Sequence, residues 1–265
     1  MKLAFSNIAW RQHDDPETLS LLKEKGVAGI EVAPTKIWPN WEGATPSAAE
    51  QYGRWLRGYG FEVPAMQAVL FGKPQAQLFG ADDAADFIAH LEHVAELAQA
   101  LGAGVVVWGA PRQRDRGTLT MAEAYDVATG ILYRLARMFA ARGSCLCIEP
   151  NPRRYGCNFV INADEGAELV RRVNHPGFAL HLDSAGMFLE ADQLRDIWPR
   201  AGHLVRHFHI SEPDLADFRT PQVPHRSNIA FLESASYPGW CSVEMREPTS
   251  PLALVGPWSL IQLPE

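Results

Sequence analysis

The sequence predicts an α/β protein in which eight strand–helix units close into one barrel, a single domain that spans residues 1–265. Two observations support this fold class. Strand-like and helix-like segments alternate from one end of the chain to the other. No linker, low-complexity segment or charge run interrupts the series. Eight such units in a chain of this length are typical of the (β/α)8 or TIM barrel.

The predicted elements follow one another regularly. We expect strands at residues 3–10, 29–32, 62–70, 104–108, 145–149, 178–183, 205–210 and 241–244. We expect helices at 16–25, 47–59, 82–101, 121–141, 163–173, 191–198 and 227–235, with a shortened C-terminal helix at 251–261. Residues that begin or end helices support these bounds. In the first helix, Asp14 or Asp15 can cap the start, and Gly26 follows the end.

An open, doubly wound sheet is the alternative architecture for alternating strands and helices. That fold usually carries a glycine-rich phosphate loop directly after its first strand. Here the first strand runs into NIAWRQHDD, which contains no glycine. The barrel is therefore the preferred interpretation.

The composition indicates which binding partners and which cellular compartment to expect. The chain has 31 acidic and 24 basic residues, a formal charge of −7, and this field disfavours nucleic acid as a partner. The N-terminus lacks the pattern of a signal peptide, and no apolar run is long enough to cross a membrane. The four cysteines show no CxxC spacing, so we expect reduced, buried thiols in a cytoplasmic protein.

Four residues that can bind a metal lie at the ends of apolar strands in the second half of the chain: Glu149, Asp183, His209 and Glu244. Parallel barrel strands bring their carboxyl ends to one rim, where these side chains would meet. Carboxylates so close would repel one another unless a cation lay between them. Oxygen-rich ligation with one imidazole suits Mn²⁺, Mg²⁺ or Co²⁺, with Zn²⁺ as an alternative.

Side chains alternate along a strand, so residues below this rim also face the barrel interior. Cys145 and Cys147 share the face of the fifth strand that ends in Glu149. His181 and His207 lie two residues before Asp183 and His209. The two histidines could form a hydrogen-bonded core layer below the site, or they could orient the metal ligands. The sequence leaves both interpretations open.

Five segments of the chain resemble the xylose isomerase-like barrel superfamily, which holds sugar isomerases, ketose 3-epimerases and endonuclease IV. They are KGVAGIEV at 25–32, EP at 149–150, LD at 182–183, HISE at 209–212 and YPGWCSVE at 237–244. HISE is close to the HVSE of the ketose 3-epimerases. The resemblance covers essentially the whole chain.

The resemblance implies a metal-dependent sugar isomerase or epimerase of carbohydrate metabolism, acting on a small hydroxy-ketone derived from a sugar. By that resemblance Glu149 and Glu244 are catalytic as well as metal ligands, and they transfer a proton through a metal-bound enediolate. One divalent cation is implied, with Mn²⁺ as the first expectation. The partner implied is a small keto-sugar or derivative, and a homo-oligomer is left open.

Other functions need different features. The same site could serve a metal-dependent dehydratase of a keto-polyol or keto-sugar, or a non-catalytic sugar-binding barrel. An endonuclease IV-like DNA repair nuclease would need further histidine ligands for a three-metal centre. Gln67 and Trp108 end the third and fourth strands instead, and Gly186 stands where another histidine would follow Asp183.

Three positions depart from the ketose 3-epimerase pattern. Gly186 replaces a substrate-binding His, Tyr155 a substrate-contacting Glu, and Leu215 an Arg. These losses argue against a plain ketohexose as the substrate. The residues expected to bind substrate at the rim are Trp10, Gln67, Trp108, Tyr155 and Arg219. The alternative for each is packing at the rim. His225, in a Pro-rich loop, is expected to be exposed.

Overall fold

Eight parallel strands form the sheet of this protein in a computed structural model that describes residues 1–80, 83–248 and 257. The strands are β1 Lys2–Ser6, β2 Gly29–Glu31, β3 Ala65–Met66, β4 Val105–Trp108, β5 Cys145–Ile148, β6 Phe178–Asp183, β7 Val205–Ser211 and β8 Trp240–Glu244. Their order across the sheet is β2-β1-β8-β7-β6-β5-β4-β3. The first and last strands of this order, β2 and β3, are therefore the ones that must meet to close a barrel.

Isolated bridges join those two edges. The Ile30 N–H donates to the Glu62 carbonyl, and the Val32 N–H donates to the Ala65 carbonyl, each at 2.9 Å. The predicted (β/α)8 barrel is thus confirmed. Because all strands are parallel, their carboxyl ends lie at one rim, and the loops that leave this rim surround a common space.

Helices cover the outside of the sheet. They are α1 Asp15–Glu24, α2 Pro34–Ile37, α3 Pro46–Gly58, α4 Ala85–Leu101, α5 Met121–Ala141, α6 Ala163–Val173, α7 Ser184–Leu189, α8 Leu194–Ala201 and α9 His225–Ser234. Their apolar faces pack on the strands; Phe87, Leu91 and Val94 of α4, for example, are fully buried. None of the helices in the described ranges has the length and hydropathy needed to cross a bilayer.

Local chemistry sets several boundaries that the sequence pattern placed wrongly. The first strand ends at Ser6, not at residue 10, because the Ser6 hydroxyl accepts the Ile8 N–H and starts a 3-10 turn. The third strand is much shorter than the predicted 62–70, since Ala68 has a positive φ of 53°. The predicted helix at 191–198 is preceded by an additional helix, α7. The predicted shortened helix at 251–261 lies outside the described residues, apart from Pro257.

The barrel interior and the thiols agree with the sequence pattern. All four cysteines are free and buried. Cys145 and Cys147 pack against Ala179 and Val105 as a small cluster apart from the main core, and their sulfur atoms lie 3.9 Å apart. The main apolar core lies between the sheet and the helices. The rim above the Cys145–Cys147 cluster is the part of the fold where charged groups collect.

Candidate metal centre

The carboxyl ends of β5 to β8 bring the four predicted metal ligands together. Asp183 and His209 are direct partners in the register of β6 and β7. Ligand atoms of Glu149, Asp183 and His209 all lie within 4.8 Å of one another. Glu244 joins them, since its Oε2 lies 3.2 Å from Nδ1 of His209. We refer to these four residues as the carboxylate cluster.

Desolvation and mutual repulsion dominate the electrostatics of the carboxylate cluster. Burial raises the pKa of Glu149 to about 8, and the negative charges of Asp183 and Glu244 add to the effect. Burial and the charge of Glu244 raise the pKa of Asp183 to about 6. Burial alone would lower the pKa of His209, but the carboxylates of Glu31 and Glu244 outweigh it and raise this pKa well above its usual value. A divalent cation would relieve this repulsion.

Neighbouring donors fix the Asp183 carboxylate. The Gly186 N–H donates to Oδ1 at 2.6 Å, so Asp183 also caps helix α7. The Ser211 hydroxyl donates to Oδ2. Ser184 in turn binds the main chain of Ser211, which ties the ends of β6 and β7 together. Asp183 therefore has one orientation before any ligand arrives.

The position of Glu149 depends on a close approach of main chain. Glu149 follows β5 directly, and its N–H donates to the Trp108 carbonyl at 3.0 Å. A Cβ atom at Gly109 would overlap Oε2 of Glu149. A side chain at residue 109 would therefore displace the carboxylate from the place it occupies here.

Glu31 also belongs to this centre, because it contacts His209 from the barrel interior. The sequence pattern did not predict this contact. Glu31 ends β2 and is fully buried. Its Oε1 and Oε2 lie 3.1 and 3.0 Å from Nε2 of His209, and Oε1 lies 3.2 Å from Nε2 of His207. Burial would raise the pKa of Glu31, but the neighbouring imidazoles His209 and His207 lower it further than burial raises it. The available signal was its place at the end of KGVAGIEV, the same strand-end position that selected the cluster residues.

Because of the contact with Glu31, the two ring nitrogens of His209 have different surroundings. Nε2 is held by the Glu31 carboxylate, whereas Nδ1 is buried without a hydrogen bond and faces Glu244. A carboxylate that binds one imidazole nitrogen fixes the ring and leaves the other nitrogen free for a metal. This arrangement would leave Nδ1 of His209 available to a metal ion.

The two interior histidines behave differently from each other. Nε2 of His207 contacts Glu31 and the Ser242 hydroxyl, at 3.2 and 3.1 Å. It therefore orients Glu31, and through Glu31 it orients His209. His181 packs edge-on against His209, with the ring centroids 4.1 Å apart, and neither of its nitrogens has a hydrogen-bond partner among the described residues. Burial, with the charges of His209 and His207, lowers the pKa of His181 well below its usual value, so His181 packs here as a neutral ring.

The donor set fits a divalent cation. Three carboxylates and an imidazole converge, and sulfur ligands are absent from the cluster. The imidazole Nδ1 is buried and makes no hydrogen bond among the described residues, although Oε2 of Glu244 lies 3.2 Å away. Hard oxygen donors with one nitrogen are the ligands that Mn²⁺, Mg²⁺ and Co²⁺ accept, and Zn²⁺ accepts them too. Glu149, Asp183, His209 and Glu244 would hold the ion.

The predicted substrate residues lie around the rim in different surroundings. Trp10 and Gln67 are buried, and they donate to Asp15 and to the Ser6 hydroxyl at 2.6 and 2.7 Å. Trp108 is fully buried, its indole N–H has no partner among the described residues, and it lines a 260 Å³ cavity. Their contacts with a substrate stay predictions.

The remaining predicted substrate residues belong to rim loops. The Tyr155 hydroxyl accepts the Asp214 N–H at 2.9 Å, which links the loops after β5 and β7. Arg219 is exposed and its guanidinium is paired with Asp217 at 2.7 Å. His225 was expected to be exposed, and this was wrong. It is buried because Oε1 of the buried Glu212 lies 2.6 Å from its Nε2.

The family assignment follows from comparison with known sequences. Residues 19–258 match the model of the xylose isomerase-like TIM barrel family. The chain therefore belongs to this family, as the motifs around the cluster predicted. Among curated protein sequences, none matches the chain significantly.

Solved structures with the same fold include several sugar enzymes. The 3-keto-D-glucoside 4-epimerase YcjR from E. coli is 16% identical, with 97% of this chain and 96% of that chain covered and a TM-score of 0.77. The D-psicose 3-epimerase from Clostridium cellulolyticum H10 is 19% identical, with coverage of 99% and 90% and a TM-score of 0.74. The IOLI protein with a bound zinc atom is 16% identical, with coverage of 94% and 90% and a TM-score of 0.70. At these identities the likeness establishes the fold.

We predict that Mn²⁺ binding to the metal-free protein releases protons and strengthens as the pH rises. Ligands must lose their protons to bind a metal, and the pKa values of Glu149 and Asp183 are about 8 and about 6. Between pH 6 and 8 the dissociation constant should fall by up to about tenfold per pH unit for each proton released. Isothermal titration calorimetry in buffers of different ionisation enthalpy measures both quantities. A dissociation constant that does not change with pH would contradict the prediction.

The same pKa shifts fix the sign of the stability change without metal. The pKa of Glu149 is about 8 in the native state, against 4.5 for an ordinary glutamate, so the native state binds more protons than the unfolded chain between these values. The free energy of unfolding of the metal-free protein should therefore decrease as the pH rises through this window. The E149Q variant, which cannot titrate there, should show a smaller decrease.

We predict that E31Q weakens Mn²⁺ binding by about 10- to 100-fold, the usual effect of losing a partner that orients a metal ligand. An amide cannot supply two equivalent acceptors to His209. Electron paramagnetic resonance of free Mn²⁺ gives the dissociation constant. E62Q is the control, because the Glu62 side chain is exposed and pairs with Lys2 on the surface, away from the cluster. Equal Mn²⁺ affinity of E31Q and the wild type would show that Glu31 does not orient His209.

Proposed function

We propose that this protein is a divalent-metal-dependent isomerase or epimerase of a small hydroxy-ketone derived from a sugar. The observation that carries the proposal is the position of two glutamates on different sides of one buried centre. Glu149 follows β5 and Glu244 ends β8, with Asp183 and His209 on the two strands between them. A substrate at the rim would therefore have one carboxylate on each side.

The related structures support this class of substrate. YcjR acts on a 3-keto-D-glucoside, and the C. cellulolyticum enzyme is a D-psicose 3-epimerase in complex with D-tagatose. Both names describe keto-sugars in which a carbonyl adjoins a carbon that bears a hydroxyl. The zinc atom in IOLI supports a cation at the rim of this barrel.

When bound, the cation would act as a Lewis acid that polarises the ketone and so acidifies the neighbouring C–H bond. In this proposal the four cluster residues have two different roles. Asp183, held by Gly186 and Ser211, and His209, held by Glu31, are rigid ligands. Glu149 and Glu244 are the groups proposed to transfer the proton.

Proton transfer follows from the positions of the two glutamates. In the proposal, the Glu244 carboxylate accepts the proton from the carbon beside the ketone. In the same proposal Glu149, on the other side of the centre, delivers a proton in return. Delivery to the same carbon inverts that centre, which is epimerisation. Delivery to the neighbouring carbon is isomerisation, and the reverse reaction exchanges the two roles.

The three positions that depart from the ketose 3-epimerase pattern have structural partners here. The Gly186 N–H binds Asp183, and the Tyr155 hydroxyl accepts the Asp214 N–H. Leu215 has a positive φ of 55°, and its carbonyl accepts the Arg246 N–H at 2.9 Å. A site with these replacements would lack the His, Glu and Arg contacts to the chain hydroxyls of a ketohexose. The cavity beside Trp108, lined by Val69, Leu70 and Phe71, offers mainly apolar surface instead.

We predict that E149Q and E244Q each lower turnover by ~10²- to 10⁴-fold, the usual effect of losing a general acid or base. Glutamine keeps the shape and one oxygen donor, but it cannot exchange a proton. Solvent-deuterium incorporation into keto-sugars, followed by NMR, measures the transfer from either side separately. E190Q is the control, because Glu190 lies outside the cluster and binds Arg153 in the loop after β5. Near-native turnover of either cluster variant with metal bound would exclude the two-glutamate mechanism.

We predict that plain ketohexoses are poor substrates, because an enzyme that lacks the hydrogen-bond partners of a substrate hydroxyl discriminates weakly for it. The Mn²⁺-loaded enzyme should therefore show a kcat/KM for fructose and tagatose below ~10⁴ M⁻¹s⁻¹, the low end of typical enzyme efficiencies. Cyclic, glycosidic and phosphorylated ketones should be compared in the same assay. A value at or above that limit for either hexose would show that the departures at Gly186, Tyr155 and Leu215 do not determine specificity.

A further inference from the structure

Arg114 is a buried cation close to the carboxylate cluster. It ends the 3-10 turn Pro111–Arg114 that follows β4, and its side chain has 0% exposure. Moving a charged group out of water costs several kcal/mol unless partners replace the solvent. Among the described residues no carboxylate forms an ion pair with Arg114, so an ion pair does not account for its position.

Neutral oxygen atoms surround the guanidinium instead. Nε donates to the Phe159 carbonyl at 2.9 Å, and Nη1 donates to the Gly109 carbonyl. Nη2 donates to the Glu149 carbonyl at 2.7 Å, to Oδ1 of Asn151 at 2.9 Å and to the Val160 carbonyl at 3.3 Å. One side chain thus holds the loop after β4 and the loop after β5 in a fixed relation.

Two of these bonds determine where the Glu149 carboxylate lies. One fixes the main chain of Glu149 itself. The other fixes Gly109, the glycine whose missing Cβ makes the space that Oε2 of Glu149 occupies. Arg114 thus binds the main chain of both residues that meet in this contact, Gly109 and Glu149. A shift of the guanidinium would therefore move the Glu149 carboxylate and the Gly109 main chain beside it.

We infer that Arg114 is a positioning residue that sets Glu149 for binding a divalent cation. The inference rests on the proposed function, since it takes the cluster to be the metal site. The planar fork of arginine, with five donors in fixed directions, matches these acceptors, whereas a lysine ammonium has three donors at one point. Lysine should therefore fail at this position although it keeps the charge.

The variant that keeps the charge separates positioning from simple electrostatics. The charge of Arg114 repels a cation but also favours the ionised form of Glu149, so its loss has two opposed effects on Mn²⁺ binding. R114K keeps the charge and loses the fork, so a loss of charge cannot explain a change in its Mn²⁺ affinity. Loss of the position of Glu149 would weaken Mn²⁺ binding. Glutamine at residue 114 removes both the charge and the fork, and positioning predicts weaker binding in spite of the lost repulsion.

Arg116 provides a matched control in the same loop. Its Nε donates to the Asn158 carbonyl at 3.0 Å and its Nη1 donates to the Leu119 carbonyl. Like Arg114, it binds main chain of the loop after β5, but it has no contact with Gly109 or Glu149 among the bonds of the described residues. A purely structural effect of losing an arginine fork should appear in both R114K and R116K.

The experiment measures Mn²⁺ dissociation constants of the metal-free full-length wild type, R114K, R114Q and R116K at one pH by electron paramagnetic resonance, with Tm as the measure of folding. We expect R114K and R114Q to bind Mn²⁺ about tenfold or more weakly, the usual effect of losing support for a metal ligand, and R116K to match the wild type. Tighter binding by R114Q, or wild-type affinity in both Arg114 variants, would overturn the inference. So would an equal loss in R116K.

Two further outcomes, no Mn²⁺ binding by the wild type and unfolded Arg114 variants, are also informative. If the wild type itself binds no Mn²⁺, the proposed function fails, which differs from a wild type and Arg114 variants that bind equally well. If neither Arg114 variant folds, N151A replaces them, because it removes one acceptor of Nη2 and leaves the buried guanidinium in place. Weaker Mn²⁺ binding by N151A supports the positioning role, and unchanged binding overturns it.

Discussion

Repulsion between buried carboxylates is the constraint on which the rest of this rim depends. Glu149, Asp183 and Glu244 lie together where water is largely excluded, and each raises the energy of its ionised neighbours. Such a group of charges is unfavourable for folding alone, so the surrounding structure must hold it in place. The barrel does this by delivering each carboxylate from a separate strand whose position is fixed by the sheet.

The surroundings of the cluster hold these charges by contacts with the main chain and with neighbouring side chains. Ser211 and Gly186 bind Asp183, Glu31 binds His209, and Arg114 binds the main chain at Glu149. Each contact orients one ligand and leaves part of its coordinating capacity unused.

The sequence alone predicted the barrel and the convergence of the four cluster residues. The barrel follows from the alternation of strand and helix patterns, and the convergence follows from the place of these residues at strand ends. Strand-end residues of parallel strands must share a rim, whatever the details of the loops. Contacts across the barrel were not predictable in this way. Glu31 is more than a hundred residues from His209 in the sequence, and nothing local to KGVAGIEV shows which histidine it meets. His225 was misjudged for the same reason, since its partner Glu212 belongs to the preceding strand end and the loop between them folds back.

The four residues of the carboxylate cluster lie on or directly after the adjacent strands β5, β6, β7 and β8. The other half of the barrel contributes Glu31, which contacts His209, and Arg114, which binds the main chain at Glu149. The loops after β1, β2 and β3 hold none of the four cluster residues, so changes in their length and composition could admit new substrates without altering the groups that would carry out proton transfer. The loop after β4 is different, because it carries Gly109 and Arg114 beside Glu149.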